Sequence, residues 1–249
     1  MAIALRGTTK AGSATNGGDV TLTFDASPNN PQTGDIVLVF GGHGNDGASG
    51  GQGPNTAGYT QRQLRGTTGN IVFGFWHKVM GATPDTNVVC EGGADTGDAV
   101  GYCAIVLDGS TVDAAIFDNA DTVVDNSGAA AAINCGAITV NTVGAWVLAA
   151  AAGEVNDATP GVPTNYSQLA GPTNATDTDP CSTTVCFREM ATTGSEDPGA
   201  FTGWANVSNV CYTVAIKPAA VSAEDPIGTG YFLRRMDDSL TSLSHADDL

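Results

Sequence analysis

The chain is short of charge, and shorter still of positive charge. Charged residues make up 14% of its 249 positions, with 9 Lys or Arg against 26 Asp or Glu. Helical proteins usually cover their exposed faces with Lys and Glu. So low a charged fraction, beside 33 Gly and 11 Pro, points instead to short strands joined by Gly/Asn/Thr turns. The formal net charge of -17 argues against nucleic acid as a partner, because polyphosphate would be repelled and no basic stripe offsets the repulsion.

Long apolar runs are missing too. The longest, Ala145 to Ala152, falls far below the roughly 20 residues that span a bilayer, so no membrane partner is expected. The opening Met1-Ala2-Ile3-Ala4-Leu5 is interrupted by Arg6 before it could serve as a secretory signal. The expectation is a soluble protein assembled in a cytoplasm. In that compartment its six cysteines (Cys90, Cys103, Cys135, Cys181, Cys186 and Cys211) stay thiols, several as small core residues. If any pair were bridged, Cys181 and Cys186, in one Thr-rich segment, would be the candidates.

Catalytic and metal signatures are sparse. Neither C-x-x-C nor H-x-x-x-H spacing occurs, so no zinc site is expected. The three histidines lie in distant contexts: His43 in a Gly loop, His77 on a strand, His245 near the C-terminus. No nucleophile-elbow motif accompanies them. The densest carboxylates, Asp95/Asp98 and Asp118/Asp121/Asp125, lack EF-hand spacing and read as solvated turns, with a glycosidase pair or Ca²⁺ ligation as the rival readings. Trp204 and Tyr166 are candidates for sugar stacking, with core packing the competing role. No catalytic residue and no cofactor is assigned.

What the sequence does hold is a series of strand-like runs. Gly34-Asp35 leads into Ile36-Val37-Leu38-Val39-Phe40, apolar on both faces and left through Gly41-Gly42, as expected of a strand buried mid-core. Residues 1–18 read as a lead-in arm, and Val20, Leu22 and Phe24 alternate with Thr as an amphipathic strand. Gly41 to Gly58 is a Gly-rich loop. It lacks the Gly-Lys-Ser/Thr ending of a phosphate cradle, so it reads as a flexible connection. Further strands are expected over Tyr59 to Arg65, Asn70 to Met80, Val88 to Cys90, Val100 to Leu107, Ile133 to Val140, Ala145 to Ala152 and Val210 to Ile216. Val112 to Phe117 reads either as one helical turn or as a short edge strand. Gly153 to Gly199 is irregular, with strands near Tyr166–Leu169 and Thr184–Glu189. About ten to fourteen strands with no sustained helical period mean an all-β, antiparallel β-sandwich, jelly-roll-like.

Composition changes after Pro218. Residues 219–249 read as a C-terminal tail, extended or short-helical, because Leu233, Met236, Leu240 and Leu243 fall at helical intervals. Within it Tyr231, Phe232, Leu233, Arg234, Arg235 and Met236 set apolar area beside two of the few arginines. They are the candidate docking residues for a neighbouring subunit.

Several of these pieces occur in a recognisable order: Gly34-Asp35 and its strand, Gly58-Tyr59-Thr60-Gln61, the aromatic strand Phe73 to Val79, Tyr102 to Leu107 closed by Asp108-Gly109, Trp146-Val147-Leu148-Ala149, and Tyr212 to Pro218 ending in Ala-Ile-Lys-Pro. The order resembles a β-sandwich domain of tailed-phage virion structural proteins and related bacterial surface proteins, over residues 19–218. Tyr59 stands where that family often has Trp. The resemblance implies a non-enzymatic virion part, such as a capsid decoration, cement or head-fibre-type protein. It would form a homo-oligomer packed against other virion proteins of the capsid or tail. The alternative is a tail-associated module that binds a host-surface glycan or receptor.

Overall fold

The computed structural model describes residues 1–44, 53–66, 70–92, 97–155, 161–173 and 175–220. The tail residues Tyr231 to Met236, together with Asp95 and His245, lie outside the described residues. One compact unit spans Met1–Ala219.

In chain order the strands begin with β1 (Lys10–Ala14), β2 (Val20–Thr23), β3 (Ile36–Gly44), β4 (Thr60–Arg65), β5 (Ile71–Val79) and β6 (Asn87–Cys90). β7 (Val100–Leu107) leads through one 3-10 turn, Gly109–Thr111, into β8 (Val112–Phe117), followed by β9 (Thr122–Ala131), β10 (Asn134–Cys135) and β11 (Ile138–Val140). The chain then gives β12 (Trp146–Gly153), β13 (Ser167–Ala170), β14 (Ser182–Glu189), β15 (Gly194–Glu196), β16 (Gly199–Ala200) and β17 (Val207–Pro218).

Two antiparallel sheets form the sandwich. The first runs β1-β7-β3-β5-β4. The second runs β13-β14-β12-β17-β8, with β9 also paired to β17. The fold is therefore all-β and sandwich-like, as the strand pattern predicted. Between the sheets Leu38, Phe40, Phe73, Phe75, Ile105, Leu148, Tyr212 and Val214 pack into the main core.

Each sheet is also covered on its outer face, and this explains why the central runs are apolar on both sides. The β2–β6 ribbon lies over the first sheet, so that Leu22, Phe24 and Val88 pack with Val37, Val39, Trp76 and Val106. The short ribbons β10–β16 and β11–β15 cover the second, placing Ile133, Ile138, Val140 and Phe201 over Val147, Ala149 and Ala151. In a pleated strand alternate residues face opposite ways, so Val37 and Leu38 serve different cores.

Several expectations change in detail. Residues 1–18 are bound into the body rather than forming a lead-in arm. β1 pairs with β7 from Lys10↔Ala104 to Ala14↔Val100, and Ile3 joins the main core. Gly41-Gly42 does not end the central strand, because β3 runs on to Gly44 in register with β5 and β7. Residues 112–117 resolve as strand. The stretch 153–199 holds β13, β14 and β15, while β9 had no counterpart in the sequence pattern.

Candidate functional site

Polar side chains that could do chemistry converge in three places, each fixed by strand register. The first is at Asp35, the acid of the Gly-Asp step. Asp35 is 1% exposed and accepts from the backbone N–H of Gln32 (2.7 Å) and of Gly109 (3.1 Å). Arg6 completes the set by donating through Nε (2.6 Å) and Nη2 (3.1 Å). Arg6 Nη2 also lies 3.0 Å from Asp108. A carboxylate buried this deeply needs both a cation and hydrogen-bond donors, and Asp35 has them. Its role is to tie the N-terminal segment, the turn into β3 and the turn after β7 together.

The second is a buried His–Tyr pair at the far end of β3. His43 Nε2 lies 2.5 Å from the Tyr102 hydroxyl, with the rings edge-on at 5.4 Å. The phenol donates to the carbonyl of Glu91 (2.9 Å) and accepts from the N–H of Gly53 (3.1 Å). A phenol has one O–H to donate; with it directed at the Glu91 backbone carbonyl, the His43 Nε2 is the donor in its pair with Tyr102. Burial pushes the Tyr102 hydroxyl well above its ordinary range, so it stays protonated. Around this pair the backbone closes tightly. Gly44 N–H donates to Ala99 O, Ala99 N–H to Asp179 O, and Asp179 N–H to Gly97 O. Glycine at 101 leaves room for Thr173, whose hydroxyl accepts from Thr183 N–H at 3.0 Å.

The third joins the two sheets along one side. The Arg62 guanidinium of β4 lies 3.6 Å over the Phe117 ring and donates through Nη2 to Asp121 (2.8 Å). Its Nε is 2.7 Å from Asp121 Oδ2 but makes no aligned hydrogen bond, so that contact is purely ionic. Gln63 donates to the same carboxylate (3.1 Å), whose side chain is fully buried. His77 of β5 meets Phe117 edge-on at 5.1 Å. Burial first, and the Arg62 charge second, hold its pKa below the ordinary value. His77 is thus half-buried and packed on a ring, with its Nδ1 making no hydrogen bond among the described residues.

The carboxylates Asp118, Asp121 and Asp125, which read as solvated turns, are in use. Asp118 accepts from Asn141 N–H (2.5 Å), Thr142 N–H (3.2 Å) and the Thr142 hydroxyl (2.5 Å), building the turn before β12. Asp121 pairs with Arg62, and Asp125 accepts from Gly66 and Ser127 N–H. Tyr166 is buried with its hydroxyl donating to Glu196 at 3.0 Å, and Trp204 packs against Phe201. Core packing thus takes both aromatics that were candidates for sugar stacking. All six cysteines are free and buried. Cys181, just before β14, packs in the main core, whereas Cys186 of β14 packs in the outer core of the second sheet. Among the described residues no group of three or more His, Cys, Asp or Glu is placed to hold a metal ion.

No family model, curated protein or solved structure matches this chain. Its own geometry carries the functional argument. The Tyr102 and Asp35 networks were not picked out by sequence reasoning. The available signal was the pairing of a Gly-Gly step with a strand tyrosine, which marks a ring lying across a backbone.

Proposed function

We propose that the chain is a non-enzymatic bacteriophage virion structural protein, a capsid decoration, cement or head-fibre-type module carried on the particle surface as a homo-oligomer. The observation that carries this reading is the covering of both sheets on both faces. Side chains that could have formed a reactive site are spent instead on internal bonds: Asp35 on two turns, Tyr102 on three partners, Asp121 on Arg62 and Gln63. A module that must hold its shape on a particle uses its polar groups in this way, because a buried group held by several partners favours one rigid arrangement. The preference for small, weakly charged side chains also suits close packing of identical copies.

Quantitative mass spectrometry of purified phage particles that encode the chain tests the proposal. Hundreds of copies per particle are expected of a capsid-surface role. A handful of copies together with signal on a glycan array would favour the tail-associated receptor-binding module. Absence from particles would overturn both.

A further inference from the structure

The outer core of the second sheet holds two thiols that the architecture brings together from far apart in sequence. Cys135 lies in the two-residue strand β10, and Cys211 lies in β17. Both belong to the core beneath the β10–β16 ribbon, and they are 1% and 0% exposed. The Cys135 thiol points at the β12–β17 ladder, 3.8 Å from Tyr212 O and 3.9 Å from Ala150 O. Ala150 and Tyr212 are register partners, and Cys211 is in the next rung, opposite Ala151. Cys211 adjoins Tyr212 in the chain, and its side chain is buried in the same core as the Cys135 thiol. Cys186, the third cysteine of this core, stands on the other side of β12, opposite Ala149.

We propose that Cys135 and Cys211 form a latent cross-linking site, which closes to a disulfide when the protein meets an oxidising thiol–disulfide environment. The oxidant is a small-molecule disulfide. One cysteine, as thiolate, attacks it, forming a mixed disulfide and releasing one small thiol. The second thiolate attacks the protein sulfur of that mixed disulfide, forming the Cys135–Cys211 bond and releasing the second small thiol. Two protein S–H groups are oxidised, one small disulfide is reduced, and the two thiol protons end on the released thiols.

The site has a built-in delay. Both thiols are covered, so the reaction waits for β10 to lift, and β10 is a two-residue strand paired at Asn134↔Ala200 and Cys135↔Gly199, with the Phe201 N–H donating to Ile133 O beside it. The neighbouring thiol and burial both push the Cys135 pKa up, which slows attack further near neutral pH. In a reducing cytoplasm the chain would fold with free thiols. On transfer to an oxidising medium, the same ribbon would become stapled to the sheet it covers. The inference is independent of the virion reading, because it concerns one core of the folded chain.

The test uses the full-length protein in native buffer near pH 8, exposed to oxidised glutathione. The thiol count under denaturing conditions should fall from six to four. Non-reducing peptide mapping should give one cross-linked species joining Cys135 to Cys211. The thermal midpoint should rise by about 5–15 °C and return on reduction, as for a cross-link closing a long loop. C135A and C211A should each abolish the cross-link. Six persisting thiols, stable glutathione adducts, or a linkage of Cys135 to Cys186 would overturn the proposal, and the wild-type peptide map decides even if a variant fails to fold.

Discussion

Tyr102 lies flat across Gly41, its register partner on the neighbouring strand. A Cβ at residue 41 would stand 2.0 Å from Tyr102 Cε1. The ring cannot swing aside, because its hydroxyl is held by His43, Gly53 and Glu91 together. Gly41→Ala should therefore destabilise by about 2–4 kcal/mol, as overpacking of a fixed core does. Urea denaturation measures it, and a loss below about 1 kcal/mol would mean that the ring relaxes freely.

Tyr102→Phe keeps the ring and removes the hydroxyl. The His43 and Gly53 donors then lose a buried acceptor, and the Glu91 carbonyl loses a donor. The expected cost is about 2–4 kcal/mol, from leaving buried polar groups unmatched. Gly41→Ala should cost less in this background than in the wild type, because the ring is no longer pinned by its hydroxyl.

Arg62 and Asp121 should behave as a coupled pair. Arg62→Met leaves a fully buried carboxylate without its cation, at a cost of about 3–5 kcal/mol. The double variant Arg62→Met/Asp121→Asn should recover part of that loss, because no uncompensated charge remains. Additive losses in a double-mutant cycle would contradict the coupling.

Acid should act in two separate windows. The folded His77 pKa is below its ordinary 6.5, so the unfolded chain binds the extra proton first. Stability should then fall as pH drops below about 6.5, levelling once the folded group protonates. Asp25 behaves differently: hydrogen bonds from Lys10 and Thr8 hold its pKa down to about 2, against an ordinary 3.8. Its contribution is complete above 3.8 and is lost as pH falls towards 2. Urea midpoints against pH should show His77→Gln flattening only the upper window and Asp25→Asn only the lower.

Salt should govern assembly. Each copy carries -17, so close neighbours repel at low ionic strength and approach more readily as screening increases. Light scattering across a salt series should show association rising with ionic strength. A flat response would show that charge does not set the assembly.

The strands were legible where a short run was apolar on both faces, as in Ile36 to Phe40 or Val100 to Leu107. The ends were less legible, because a glycine in sequence carries no label for why it is there. Gly41 reads as punctuation but makes room for Tyr102, and Gly42 makes room for Thr183, Ala152 and Cys181. β9 escaped because Thr122 to Ala131 mixes Asp, Asn, Ser and Gly into a strand defined by its pairing with β17. The carboxylates were misplaced for the same reason: Asp121 looks solvated until β4 brings Arg62 over it. Cys181 and Cys186 looked like partners because they share one Thr-rich segment, but they face different cores.

β17 is hydrogen-bonded along both edges, by β12 on one side and by β9 and then β8 on the other. The described body ends directly beyond it, where Ala219 N–H donates to Thr111 O and the Met1 ammonium donates to Ala219 O at 3.1 Å. Tension applied at Ala219 would therefore run along the axis of a strand bonded on both edges in the second sheet. Neighbouring strands would have to slide in shear, with many ladder bonds loaded at once, instead of parting one bond at a time. A tether attached at this point would load β17 along its length, where its two ladders resist together.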